Sequence, residues 1–188
     1  NKKKNKEAIG KGKTVRFPVA LFFVRGDRGG DANAIADEAI SSMKYWNLHS
    51  ADYIDILFAG WTKDGFDTEL FFTYQQDIES ICKWQYNGES EILLINFDFD
   101  TTSSTGKFAF DEVVSLPIEE MIKKDITSSV DALINEIVLV SKHIDGGSVW
   151  EISDRFAIQR GRQSLWSYIK NKVTGGLSEV YDELKPFS

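Results

Sequence analysis

A chain of 188 residues, 42% hydrophobic and 27% charged, has the size and composition of one globular domain, which excludes wholesale disorder. Its formal charge of −7 hides an asymmetry: residues 1–16 hold seven Lys or Arg against Glu7 alone, so the remaining body sits at −13 and repels phosphate backbones, leaving only the basic arm to attract nucleic acid. A single cysteine, Cys82, excludes an intramolecular disulfide and a thiolate metal cluster and suits a reducing, cytoplasmic setting, while the longest apolar runs (residues 19–24 and 92–95) fall far short of the roughly 20 residues that span a bilayer.

Residues 1–14, rich in Lys, Asn and Gly without hydrophobic periodicity, read as a flexible arm, and we place the domain at residues 17–188. The apolar run at residues 18–24 predicts a strand buried on both faces. Gly29, Gly30 and Asp31 then make a turn and an N-cap, and Ile35, Ala36, Ala39, Ile40 and Met43 recur at helical spacing to about Trp46. Residues 53–59 predict a second strand, closed by a turn over residues 62–67, so the opening is a βαβ unit with a parallel pair. A second helix is expected over residues 70–86, ended by Asn87 and Gly88. Residues 91–100 and 107–114 alternate about a polar turn at residues 101–106, as an antiparallel hairpin does. From Pro117 the pattern is helical, with a cap at Thr127 or Ser128, a stop at residues 145–147, a further segment centred on Ile158, Leu165, Trp166, Ile169 and Val173, and a short closing helix at residues 178–184. The expected fold is therefore mixed α/β: a mixed sheet with a helical C-terminal third.

The chemistry-bearing residues are chiefly acidic. Asp27 and Asp31 follow the first strand, while Asp98 and Asp100 lie late on the third. Were those strands parallel neighbours, the four carboxylates would gather at one sheet edge, as a Mg²⁺ site requires. Residues 98–102 (Asp-Phe-Asp-Thr-Thr) resemble the Asp-x-Asp-x-Thr nucleophile motif of haloacid-dehalogenase-type phosphatases, and residues 26–31 resemble that family's Gly-Asp-x-x-x-Asp metal motif. The resemblance implies Mg²⁺-dependent phosphoryl transfer or hydrolysis with Asp27, Asp98 and Asp100 as catalytic candidates. It covers about fifteen residues in reversed order, and Lys107 is only a neighbour of the motif, not a match to the family's phosphate-clamping lysine. Helix capping by Asp31 and a solvated hairpin face at Asp98 and Asp100 account for the same residues structurally.

Other motifs are weaker. Residues 10–14 (Gly-Lys-Gly-Lys-Thr) mimic the end of a Walker A loop, but Glu7 stands where its first glycine belongs and a strand, not a helix, follows. The turn formed by Arg25, Gly26, Arg28, Gly29 and Gly30 could bind a small anion through helix N-terminal N–H groups, although positive-φ turn geometry is explanation enough for its glycines. Arg25-Gly26-Asp27 is also the integrin-binding tripeptide, an accident in a chain without disulfides. Arg155, Arg160 and Arg162 concentrate cations in an acidic body and are candidate partner contacts. Neither His49 nor His143 has a metal-ligand neighbour at suitable spacing, and Cys82 sits among apolar helix positions as a packing residue. No catalytic constellation is complete. The expectation is thus a non-catalytic or ligand-sensing module acting through a protein or small anionic partner, with no cofactor; the competing one is the Mg²⁺-dependent enzyme.

Overall fold

The computed structural model describes residues 14–26, 31–50 and 53–142, together with Val149 and Ile152. The arm at residues 1–13, Asp27, Arg28, Gly29, Gly30, His143, the arginines at 155, 160 and 162, and the helices expected beyond residue 153 lie outside them.

The run expected as a buried strand forms β1 (Thr14–Phe23), which begins inside the stretch expected to be arm: Thr14 to Arg16 already pair with a neighbouring strand. Helix α1 (Asp31–Ser50) follows, then β2 (Asp55–Phe58), parallel to β1 with Val19 opposite Asp55 and Phe22 opposite Phe58. The turn expected at residues 62–67 is a miniature hairpin, β3 (Trp61–Thr62) with β4 (Gly65–Phe66), leading into α2 (Thr68–Ile81). Asp67 caps α2 through its side chain, which accepts from Leu70 N–H at 2.9 Å. The long hairpin is β5 (Glu91–Asp100) and β6 (Thr105–Pro117), joined by four residues. Helices α3 (Ile118–Lys123) and α4 (Val130–Ser141) close the described fold, and the cap of α4 is Ser129 rather than either residue expected from sequence.

Strand order in the sheet is β2-β1-β5-β6, parallel at the first pair and antiparallel at the others. Helices cover both faces. Toward α1 and α4 the sheet presents Ala20, Phe22, Ile56, Leu94 and Leu116, which pack with Trp46, Leu133, Ile137, Val149 and Ile152. Toward α2 it presents Val19, Leu21, Phe23, Leu93, Ile95 and Val113, packed with Phe71, Ile78 and Trp84. Burial of both faces explains the unbroken apolar run in β1, where alternation would have marked a one-faced strand.

Helix α2 stops five residues short of the expected end. Cys82 N–H closes onto Ile78 C=O at 3.0 Å, and the chain then turns extended so that Trp84 enters the core. There the Trp84 indole and the Ser115 hydroxyl both donate to Oε2 of the buried Glu91, at 3.0 and 2.6 Å. A buried carboxylate requires such donors, and that demand outweighs continued helix.

Candidate functional site

The strand arrangement on which the acidic constellation depended is not the one the fold adopts. Strands β1 and β5 are neighbours but antiparallel, with Thr14 opposite Asp100 and Phe23 opposite Glu91. Asp98 and Asp100 therefore lie at the start of β1, whereas Gly26 and the first turn of α1, with Asp31, follow its end. Nine residues at about 3.4 Å each separate the two ends by roughly 30 Å. The parallel arrangement on which the metal set inferred from sequence depended is thus replaced by an antiparallel one, with Asp98 and Asp100 at the far end of β1 from the start of α1; Asp27 and the Asp31 side chain are outside the described residues. Among the described residues no three His, Cys, Asp or Glu side chains group as metal ligands.

Asp98 and Asp100 each have a local structural task. Asp98 takes a two-pronged ion pair from Arg16, Nε to Oδ1 at 2.7 Å and Nη2 to Oδ2 at 2.9 Å, while Arg16 Nη1 reaches Asp111 at 2.8 Å. The hydrogen bond from Arg16 holds the Asp98 carboxyl below its usual range, and the same bonds, to Asp98 first and Asp111 next, raise the guanidinium still higher. Asp111 reaches Arg16 from an irregularity in β6: pairing jumps from Ile95–Val113 to Asn96–Ala109, leaving residues 110–112 extra. Asp100 accepts from Thr102 N–H at 2.7 Å and Ser103 N–H, organising the hairpin turn, and the Thr102 bond in particular lowers its carboxyl. Asp98 and Asp100 also line a polar cleft of about 500 Å³ with Lys107.

The proposed anion-binding turn is described only at Arg25 and Gly26, and both are accounted for by packing. The Arg25 guanidinium lies 5.2 Å from the Phe72 ring centroid. Gly26 does not have the positive φ expected from sequence. It is glycine because a Cβ there would stand 2.9 Å from the Trp61 ring, whose Nε1 donates to Val24 C=O at 2.9 Å and so pins the β3–β4 hairpin to the end of β1. Positive φ is required instead at Gly60, at +72°, where the chain turns from β2 into that hairpin. Cys82, half-buried, has its thiol pushed up by burial and so is poorly suited to act as a nucleophile near neutral pH.

The concave feature that the fold does build lies at the free edge of β2. A groove of about 880 Å³ is lined on the α2 side of the sheet by Leu21, Leu57, Tyr74, Ile78 and Ile81, and on the α1 side by Ile40, Met43 and Ile56. Phe108 and Phe110 form its far wall, and Lys63 and Asp77 are its charged members. Leu57, Tyr74, Ile81 and Phe108, all in the lining, are 42%, 44%, 62% and 38% exposed. Its origin lies in α2. Phe71, Tyr74, Ile78 and Ile81 form a single helical stripe, yet only Phe71 and Ile78 are buried against the sheet. None of these groove residues is a site candidate in the sequence; the helix over residues 70–86 is legible there, the incomplete cover of its apolar stripe is not.

No helix among the described residues is long and apolar enough to cross a membrane. The chain matches no protein-family model, no curated protein and no solved structure.

Proposed function

We propose that the protein is a binding module, acting without catalysis of its own, that captures an apolar segment of a protein partner in the groove beside β2. The observation that carries this reading is the groove itself: about 880 Å³, walled by apolar side chains contributed from both faces of the sheet. That volume falls in the range of about 300–1,000 Å³ usual for ligand sites, and a soluble surface rarely gathers so many large apolar groups without a use for them. Of the two partner classes suggested by sequence, the surroundings favour a protein over a small anion, since residues 53–81 hold six carboxylates against Lys63 alone. The single cysteine is compatible with a reducing, cytoplasmic place of work.

The test is binding of the neutral solvatochromic dye Nile red to the full chain and to the Leu57→Asp and Ile81→Asp variants. Both positions are exposed, so the variants should keep the wild-type unfolding midpoint while losing about tenfold or more in dye affinity. Equal dye binding by wild type and both variants would remove the groove as the binding surface.

A further inference from the structure

Strand β2 stands at the edge of the sheet, and among the described residues no strand pairs with its outer side. Which of its backbone groups face outward follows from the hydrogen bonding. Ala59 N–H donates to Phe22 C=O at 2.9 Å, and parallel pairing alternates, so Asp55 and Leu57 bond inward to β1 while the N–H and C=O of Ile56 and Phe58 point away from the sheet. Both residues line the groove. Beside β2 its walls come from both faces of the sheet, Ile40 and Met43 on one side and Tyr74 and Ile81 on the other, so there is room there for one further strand, and the groove continues across the α2 face to Phe108 and Phe110. A small ligand would need only one of those faces. The β1 edge beyond β2 is defended differently: Pro18 lies just past the paired stretch, and the alternation places its missing N–H on that same outer side.

Resting on the groove reading above, we infer that the occupant is an extended strand of the partner, added to β2 through the backbone of Ile56 and Phe58, with an apolar centre of about four residues flanked by Lys or Arg. The length of the centre is that of β2. The apolar character follows from burial on both faces, the same cause that makes β1 apolar throughout. The basic flanks follow from charge, because carboxylates outnumber Lys63 six to one over residues 53–81, while Lys63 and Asp77 in the lining balance one another. The same charge disfavours a second copy of this chain, which would bring two acidic edges together.

The probe is the capped peptide Lys-Lys-Val-Leu-Val-Leu-Lys-Lys, followed by fluorescence anisotropy against the full chain at low salt. Two further versions carry backbone N-methyl groups on alternate core residues, one in each parity. Strand addition uses the N–H groups of one parity only, so one methylated peptide should lose about tenfold or more in affinity and the other should bind as the parent does. A version flanked by Glu should also bind about tenfold more weakly. Equal binding by both methylated peptides would overturn strand addition while leaving groove binding intact, a failure distinct from loss of Nile red binding. Parent-strength binding by the Glu-flanked version would overturn the charge argument. No binding by any peptide, or concentration-dependent dimerisation in sedimentation that Leu57→Asp abolishes, would overturn the assigned occupant.

Discussion

Asp98 shows how one carboxylate can carry the local chemistry of a motif and serve structure instead. Its two-pronged pair with Arg16 staples β5 to the start of β1, and Asp111 adds a third oxygen to the same guanidinium. Arg16 is about a third exposed, so solvent screening limits the pair, and we expect Asp98→Asn to cost about 1 kcal/mol at pH 7. The pH dependence has a definite sign. The folded carboxyl titrates below its unfolded value of about 3.9, so its contribution is complete above that value and is lost as pH falls toward the folded pKa. Arg16 stays charged throughout that window. The difference in urea midpoint between wild type and Asp98→Asn should therefore be constant from pH 7 to 5 and shrink below pH 4. A difference that grew on acidification would contradict the assigned role. At the other end of β1, Gly26→Ala places a methyl against the Trp61 ring and should cost about 1–3 kcal/mol, with the loss of the Trp61–Val24 bond visible as a shift in tryptophan emission. A Gly26 that served only a ligand would tolerate alanine without that shift.

The elements differ in how plainly their residues announce them. Strand β1 and its parallel pairing with β2 were legible because an apolar run and a helical crossover leave few topologies open. The β5–β6 hairpin was legible through alternation about a polar turn, expected at residues 101–106 and found at 101–104. The direction of β5 relative to β1 was not, since nothing local in a strand records which neighbour it takes, and the whole acidic constellation depended on that one unknown. The expected α2 is longer than the observed one because Trp84 and Tyr86 continue an apolar periodicity, while the bond from Trp84 to Glu91 is a packing contact that helical spacing does not record. The groove was hidden for a related reason: the stripe Phe71, Tyr74, Ile78 and Ile81 looks like a core face all along its length. This yields a sharp contrast along one helix. Ile78→Ala should destabilise by about 2–5 kcal/mol, as a buried truncation does, whereas Ile81→Ala, at 62% exposure, should stay within about 0.5 kcal/mol in urea unfolding. Ser129→Ala should cost about 1 kcal/mol by removing the side-chain cap of α4.

At the scale of the whole molecule the governing feature is charge, and the basic arm partly conceals it. Residues 1–13 hold six lysines against Glu7, so a chain beginning at Thr14 would move from a formal charge of −7 to −12. An acidic body around an apolar groove should steer a cationic segment toward it, because long-range attraction raises encounter rates more than it deepens the final complex. The arm opposes that field. Removing residues 1–13 should therefore raise the association rate of the Lys-flanked peptide several-fold at low ionic strength, with little change in its dissociation rate. At 0.15 M salt the Debye length is about 8 Å, and the gain should largely vanish. Stopped-flow anisotropy on both chains across a salt series separates the rates. A truncated chain that associates no faster at low salt would mean that the arm does not weaken the field at β2. One whose dissociation rate changes instead would show that the arm touches the bound strand directly.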